Sequence, residues 1–514
     1  MAEPAVPATG PRPVLLVTLL LAALSTAPYV RASLSPPPSM AFVGFFWFID
    51  DSYNYLSFVE QAEGGAFLFQ NKLAIEENAA VLVNLEWWTV GVISRLLGGH
   101  PLVAYRLFGL AALLALVAGI DRSLAVAGLP ATHRLAALLL VTTGAGLGGI
   151  RLLLGTPVEQ CLDLMSGLFP ILEALANPHF VAGTALLLWA LIAHAGTGTK
   201  PFVVAAVMGT ALGLTRPYDL VMLVAISTAT VLLIEPARRW LRHGASMAAL
   251  VPVVAYNYWV FYRQPAFRFY ADAQYVFPTR AELAWALGPA AVLAVCAVGV
   301  RSVWTESAGV ARVTLVHFAV WCALAAVVIA VRPVHFSLQF LVGVGVPLLS
   351  LAAVGLARWP ARYTAAAAAA FSTTAMAAVW LTLQPTLGAY APAERVALAW
   401  ELRRDCRAGD RLVAPGDVGL WAAGYTACRA FTSHAIEPAH GERREAVRMF
   451  YEQGEPLGRA AFLERICATH VVLPASRPPD QMVDRRVTLA PVAVAGAPPR
   501  QLAAYRVSSA CTAR

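Results

Sequence analysis

Residues 45–61 read FFWFIDDSYNYLSFVEQ, an aromatic and apolar run that leads into two adjacent carboxylates, Asp50 and Asp51. A helix-like stretch follows and places Tyr53, Tyr55 and Phe58 between polar residues. A charged side chain at mid-bilayer costs roughly 2.5–3.5 kcal/mol on the insertion scale, so two together do not lie in hydrocarbon. The pair therefore belongs at the membrane rim or in a water-filled cavity, where ionisable residues are functional by default.

The composition is that of a polytopic membrane protein. Of 514 residues, 59% are hydrophobic and 13% are charged, whereas soluble domains carry about 25% charged residues. The net charge of +8 does not indicate nucleic-acid binding, because the sequence has neither a basic face nor a known motif of that kind. Seven scattered cysteines without a CxxC pair argue against zinc. A disulfide of Cys406 with Cys428 or Cys467 is compatible with an extracytoplasmic tail.

Hydropathy predicts about eleven transmembrane helices, since each span needs ~20 mostly apolar residues. They are 13–31, 101–127, 133–150, 178–196, 201–215, 217–234, 243–261, 283–301, 310–331, 337–357 and 361–383. Residues 79–98 are ambiguous. Glu86, Trp87, Trp88 and Arg95 favour a helix that lies in the interface rather than crossing it, and an extra span there would invert the topology downstream.

Loop charges set the orientation, because Lys and Arg favour the cytoplasmic side. With the amino terminus inside, the inner loops hold Arg122, Arg134, Lys200, Arg238, Arg239, Arg242, Arg301, Arg312, Arg358 and Arg362. The first outer loop is then 32–98, the second is 151–177, and everything after 384 is also outside. Short apolar runs alternating with helical patterns from about residue 386 predict a small α/β domain. The expected architecture is an all-α membrane domain at 1–385 and an extracytoplasmic α/β domain at 386–514.

Asp50 and Asp51 have two interpretations. They can act as a general base, as metal ligands, or as both at the water-facing edge of a membrane cavity. Alternatively, Asp51 or Ser52 caps the helix that follows. We favour function, because a cap needs one such residue and the sequence has two carboxylates.

The second outer loop carries three acids, Glu159, Asp163 and Glu173, and then His179 where the next span begins. We expect one of the acids to face the cavity, and favour Asp163. His179 could be an acid/base group or a metal ligand, although a lone histidine at the edge of a span is more often a structural hydrogen-bonding residue.

Cationic residues with polar or aromatic neighbours recur on the predicted outer side. Arg216 has two interpretations. It can form a salt bridge with Asp219 at the membrane rim, or it can contact the substrate. Arginines among aromatic side chains suit an anionic lipid head group, although an interfacial anchor without a ligand would look similar. The candidates for this second role are Arg263, Arg268, Arg332, His335 and Gln339.

The sequence Asp50-Asp51-x-x-Asn-Tyr after one span resembles the first outer loop of the GT-C superfamily of glycosyltransferases. These multi-span enzymes use polyprenyl-phosphate-linked sugars and include protein mannosyltransferases, aminoarabinose transferases and oligosaccharyltransferases. The resemblance implies that Asp50 is the catalytic base, that Asp51 is its neighbour in the acidic pair, and that Asp163 or Glu159 of the second acidic loop lies beside them. The tail motif from Arg429 to His434 and the motifs after it are similar to outer domains of bacterial members. A Trp-Trp-Asp tripeptide is lacking, which counts against protein N-glycosylation.

The expected function is transfer of a sugar from a polyprenyl-phosphate-linked donor to a glycan, lipid or protein acceptor on the extracytoplasmic face. We expect an inverting reaction in which Asp50 deprotonates the acceptor. A divalent metal is left open, although a polyprenyl monophosphate needs none to leave. The alternatives are a transporter or flippase of lipid-linked saccharides and a non-catalytic scaffold of envelope assembly.

The predicted location follows from the same topology. The chain is expected to be a multi-pass protein of a bacterial inner (plasma) membrane, with a cytoplasmic amino terminus and an extracytoplasmic carboxy-terminal domain. Its expected partners are the polyprenyl-phosphate sugar donor, the acceptor and membrane lipid, and not nucleic acid.

Overall fold

The computed structural model describes residues 12–165, 167–196, 198–234, 237–272, 277–299, 304, 307–333, 337–385, 388–432, 434, 440–476, 479–496 and 501–508. By its internal contacts the chain divides into two compact units. Unit 1 consists of Met1–Val30, Tyr105–Trp259 and Ala273–Gln384, and unit 2 of Arg31–Ala104, Val260–Asp272 and Pro385–Arg514. A boundary at residue 385 between a membrane domain and a tail domain stays a prediction.

The described residues contain nine helices that are long and apolar enough to cross a membrane. They are Arg12–Leu34, Pro101–Val126, Pro178–Ala195, Pro217–Ile234, Arg239–Arg263, Arg280–Val298, Gly309–Val331, Ser337–Leu356 and Ala361–Thr382. Each overlaps a span predicted from hydropathy, so the all-α membrane architecture is confirmed. The reason is that a run of ~20 apolar residues has one stable conformation in hydrocarbon, the helix, in which every backbone group is bonded within the segment.

Two of the eleven predicted spans differ from the prediction. The segment predicted as 133–150 forms two helices, Ala131–Thr143 and Gly148–Leu153. Gly144 between them is extended, and a Cβ on Gly146 would lie 2.2 Å from a backbone oxygen of Ala286, so only glycine permits this close approach. The segment predicted as 201–215 is the helix Thr199–Gly213, whose 15 residues are fewer than a span requires.

The ambiguous segment 79–98 contains the helix Leu85–Leu96. Its 12 residues are about 18 Å long at 1.5 Å per residue, too short for a hydrocarbon core of about 30 Å. The side chain of Asn84 caps this helix, because it accepts hydrogen bonds from the backbone amides of Glu86 and Trp87. A Cβ on Gly91 would lie 2.3 Å from the Cβ of Ala62, which shows how closely this helix packs on Ile49–Glu63. Leaving the segment out of the span count was therefore correct.

The tail forms the expected α/β structure, built on a five-stranded sheet. In sheet order the strands are Arg429–Ala430, Arg411–Val413, His470–Pro474, Leu502–Ser508 and Thr488–Ala495, the first three parallel and the last two antiparallel to their neighbours. The helices of the tail are Ala393–Glu401, Gly416–Tyr425, His440–Glu452, Pro456–Arg465 and Pro479–Met482. Apolar side chains such as Val413, Phe450, Leu463 and Val471 form its core.

Covalent and backbone pairings also join parts of unit 2. Cys406 and Cys428 form a disulfide, one of the two pairings expected from the sequence, and Cys467 is disulfide-bonded as well. A second, two-stranded sheet pairs Met40–Phe42 with Tyr390–Pro392 in antiparallel register. The remaining helices of unit 2 are Ile49–Glu63 and Pro265–Asp272, with a 3₁₀ turn at Leu402–Arg404.

The shorter elements of unit 1 lie mainly in the predicted second outer loop. They are the 3₁₀ turn Val158–Gln160 and the helices Leu162–Met165 and Pro170–Ala176. The span Arg239–Arg263 comprises the helices Ala237–Ala248 and Val251–Tyr258 and the π-helical turn Trp259–Arg263.

Candidate active site

Asp50 and Asp51 lie in the first turn of the helix Ile49–Glu63. The residue that caps this helix is Phe48, with φ 49° and ψ 45°, and no side chain caps it. The hydroxyl of Ser52 has no hydrogen-bond partner among the described residues. The alternative that Asp51 or Ser52 is the cap is therefore wrong. The positive end of the helix still favours negative charge at both carboxylates.

The left-handed conformation of Phe48 is rare for an aromatic residue. Such a backbone costs of order 1–3 kcal/mol and persists only where the surroundings impose it, often at functional sites. Tyr53 anchors the first turns of the helix that follows. Its buried hydroxyl donates to the carbonyl of Val43 at 2.7 Å and lies 3.1 Å from the hydroxyl of Tyr425, while its ring meets Phe45 edge-on.

His434 is the partner of Asp51. Its Nε2 lies 3.0 Å from Oδ1 of Asp51. His434 is buried, the side chain of Asp51 is 34% exposed, and Asp50 is exposed. The carboxylate of Asp51 is thus held by an imidazole, and that of Asp50 is the more exposed of the two. This geometry fits a pair in which one acid is oriented and its neighbour reacts.

Two of the predicted cationic residues, Arg263 and Arg268, belong to the same compact unit as this pair. Asn54, one turn after Asp50, exchanges two hydrogen bonds with the hydroxyl of Tyr270, at 2.7 and 3.0 Å. Tyr270 lies on Pro265–Asp272, the helix that also carries Arg268. Arg263 and Arg268 are both exposed. The contact therefore fixes the helix of Arg268 against the helix of the acidic pair.

A second cluster of charges is buried in unit 1. Arg216, 1% exposed, donates from Nη1 to Oδ2 of Asp219 at 3.0 Å and from Nη2 to the carbonyl of Gln339 at 3.2 Å. A second bond joins Nη2 to the side-chain oxygen of Gln339. Half-buried His179 acts electrostatically on Asp219. The structure thus brings together three of the predicted substrate-binding residues, with Arg216 engaged in the salt bridge that was one of its two interpretations. Their role in binding stays a prediction.

The acids of the second outer loop have three different environments. Asp163 is buried and accepts a hydrogen bond from the amide of Gly148 at 2.9 Å, and burial raises the pKa of its carboxyl. Glu159 is exposed. Glu173 is fully buried, its carboxylate oxygens have no hydrogen-bond partner among the described residues, and burial raises its pKa to about 8 against the opposing effects of Thr184 and Arg216. The favoured acid, Asp163, thus contacts backbone, and its catalytic role stays a prediction.

The last two candidates lie around residues 332–335. Arg332 ends the helix Gly309–Val331 in a left-handed conformation, and its guanidinium lies 4.6 Å from the ring centre of Phe277. This cation–π contact is typical of an interfacial arginine. His335 lies outside the described residues.

One group of side chains bears on whether the protein binds a metal ion. Among the described residues, the group that meets the distance criteria for a metal site is Cys406, Cys428 and His470, and its two cysteines form the disulfide. Asp50 and Asp51 are successive helical residues, which point about 100° apart, and Asp51 already contacts His434. A metal at the acidic pair stays a prediction.

His434 and Tyr270 are the contacts that the sequence did not predict. The motif that contains His434 is similar to outer domains of bacterial family members, and that similarity does not report a contact with Asp51. Asp51 and His434 are 383 residues apart. No local spacing reports a contact of that kind.

Solved structures of other proteins share this fold at 12–16% sequence identity. The arabinofuranosyltransferase AftD from Mycobacteria superimposes with a TM-score of 0.59 at 16% identity, over 99% of this chain and 40% of AftD. ArnT from Cupriavidus metallidurans bound to undecaprenyl phosphate superimposes with a TM-score of 0.54 at 12% identity, over 98% of this chain and 100% of ArnT. ArnT in the apo state gives 0.53 at 13% identity, over 96% of this chain and 97% of ArnT.

These similarities concern the fold. No protein-family model matches the sequence. No curated protein matches it either. This chain spans less than half the length of AftD, whereas it corresponds to the whole of ArnT.

Proposed function

We propose that this chain is a membrane glycosyltransferase that moves a sugar from a polyprenyl-phosphate-linked donor to an acceptor hydroxyl on the extracytoplasmic face. The observation that carries the proposal is the acidic pair at the first turn of Ile49–Glu63, in a chain with the GT-C fold. The solved structure of ArnT with undecaprenyl phosphate supports the class of donor. The sugar and the acceptor are outside the proposal.

Asp50 is the proposed general base. Its carboxylate is the exposed one of the pair and accepts the proton of the acceptor hydroxyl as that oxygen attacks the anomeric carbon. The bond between that carbon and the phosphate oxygen breaks, and polyprenyl phosphate leaves with the electron pair. Attack opposite the leaving group inverts the anomeric configuration. The proton then passes from Asp50 to water.

His434 is the proposed positioning residue. Its contact with Asp51 at 3.0 Å fixes one carboxylate of the pair. A neighbour so paired repels Asp50 less than an isolated carboxylate does. His434 therefore acts through Asp51 and need not touch the substrate.

Arg268 and Arg263 are the proposed phosphate contacts. Both are exposed and belong to the unit that carries the acidic pair, and the helix of Arg268 is bonded to the helix of Asp50 through Asn54. A guanidinium presents paired donors that match phosphate oxygens and stabilises the charge of the leaving group.

The test uses the purified full chain in detergent with undecaprenyl-phosphate-linked arabinose, aminoarabinose and mannose, each radiolabelled, and acceptors extracted from cell envelopes. We expect at least one donor to yield undecaprenyl phosphate and labelled acceptor. Asp50→Asn should lower the rate by at least about 100-fold, as expected for the loss of a general base. Asp480→Asn, which changes an exposed acid of the tail in the same way, is the matched control.

Full activity in Asp50→Asn, with the control also active, would remove Asp50 from catalysis. A lipid-linked saccharide flippase, the main alternative, predicts no transfer in detergent for any donor and movement of lipid only in sealed vesicles. His434→Gln should lower kcat and leave KM within about two-fold, whereas Arg268→Gln should mainly raise KM for the donor. The reverse pattern would exchange these two roles.

A further inference from the structure

Three buried histidines of unit 1 form a continuous hydrogen-bonded chain, called the histidine chain below. Nε2 of His317 lies 3.2 Å from Nδ1 of His194, and Nε2 of His194 lies 3.0 Å from Nδ1 of His243. Nε2 of His243 lies 3.0 Å from the hydroxyl of Thr228. The four residues come from four helices: Gly309–Val331, Pro178–Ala195, Ala237–Ala248 and Pro217–Ile234.

The histidine chain is buried within unit 1 and lies far along its helix from His179. His317, His194 and His243 are 1%, 3% and 7% exposed. Along Pro178–Ala195, His194 is 15 residues from His179, or about 22 Å at 1.5 Å per residue. Ionisable residues inside a membrane are costly and mark ion or proton pathways more often than packing.

The bonding pattern limits how many protons the chain can hold. A hydrogen bond between two imidazoles needs one proton on one nitrogen and a lone pair on the other. The two inner bonds therefore hold one proton each, and the neutral chain has a third proton at one end. A fourth proton occupies the other end and leaves both inner bonds intact. A fifth would place two protons in one inner bond and break it.

The same pattern permits movement of a proton along the chain. If a proton enters at the free nitrogen of one end ring, each inner proton shifts across its bond and the far ring releases one. No ring has to leave its partners for this transfer. A metal site would need three nitrogens that converge, but His194 uses nitrogens on opposite sides of its ring.

We propose that the histidine chain is a proton relay that holds at most one excess proton and passes it between His317 and the Thr228 end. Among the described residues, the other groups acting on the rings are Arg239, whose charge opposes a second proton on His194, and the ring of Phe202, which meets His194 edge-on. The loop charges predict this end of the helices to be cytoplasmic. The relay is independent of the glycosyltransferase proposal.

The test is nitrogen-15 NMR of the full chain, labelled at histidine and held in lipid nanodiscs, between pH 8 and pH 3. Single His→Gln variants assign the signals among the ten histidines of the sequence. In the parent protein we expect the ring signals of His317 and His243 to change together, with one proton taken up by the three rings. In His194→Gln the link between them is cut, so the two rings should change at different pH values. His100→Gln, which alters an exposed histidine, should leave all three rings unchanged.

Two results would overturn the relay. One is a set of ring signals that does not change between pH 8 and pH 3, and the other is that His317 and His243 behave in His194→Gln as they do in the parent. If His194→Gln does not fold, His243→Gln is the second variant. It leaves the pair of His194 and His317, which should still share one proton, and independent signals from that pair would also overturn the proposal.

Discussion

Gly183→Ala is expected to break the buried ion pair of unit 1. A Cβ on Gly183 would lie 2.4 Å from Oδ2 of Asp219 and 2.7 Å from Cδ of Arg216, both well inside van der Waals contact. Both side chains are buried and bonded, so neither can move without losing a partner. Breaking a buried pair costs about 3–5 kcal/mol, and alanine recovers about 1 kcal/mol over glycine in a helix. The expected net loss of unfolding free energy is about 2–4 kcal/mol.

The measurement is unfolding of the purified protein in mixed micelles with increasing sodium dodecyl sulfate, followed by circular dichroism. Gly288→Ala is the matched control, since it also lies within a long helix and an added Cβ would contact nothing within 4 Å. The control should be as stable as the parent or up to about 1 kcal/mol more stable. If the two variants differ by less than about 1 kcal/mol, the ion pair adapts without cost and the reasoning is refuted.

Three further predictions concern single contacts. Because burial raises the pKa of Glu173 to about 8, above 4.5 in the unfolded chain, stability should fall by up to about 1.4 kcal/mol per unit as the pH rises from 4.5 to 8. Glu173→Gln should remove this part of the slope, measured by unfolding at several pH values. Lys72→Met should cost about 3–5 kcal/mol, because buried Lys72 pairs with Glu60 at 2.7 Å, and Lys72→Met with Glu60→Gln should cost less than the single change. Replacing both Cys406 and Cys428 by serine should cost about 3 kcal/mol, as expected for a crosslink across 22 residues, read from thermal unfolding.

The membrane helices could be predicted because their signal is local. Each apolar run of ~20 residues specifies a helix on its own, and nine such helices were located from hydropathy. The break at Gly144 was missed because its cause is not local. The amides of Ala145 and Leu147 donate to the carbonyls of Phe371 and Trp285, and such distant partners are invisible in a hydropathy profile.

The candidate site also has parts that the local sequence predicts and parts that depend on distant contacts. The acidic pair was found because two carboxylates after an apolar run are costly wherever they lie. The sequence does not predict how Asp163 and Glu173 differ, because both are acids of one loop. Packing alone decides that Asp163 accepts a hydrogen bond from the amide of Gly148, whereas the carboxylate of Glu173 has no hydrogen-bond partner among the described residues. The contact of Asp51 with His434 depends on the tail and could not follow from either segment alone.

The small sheet of Met40–Phe42 and Tyr390–Pro392 sets an order for biosynthesis. About 350 residues separate the two strands, and at roughly 5–20 residues per second the ribosome needs about 20–70 s to deliver the second one. Until then, the backbone N–H and C=O groups of Met40–Phe42 that face the second strand lack that strand as a partner. A chain truncated before Tyr390 would retain its spans but leave this strand without its partner, so assembly of unit 2 is completed only after Tyr390–Pro392 has been synthesised.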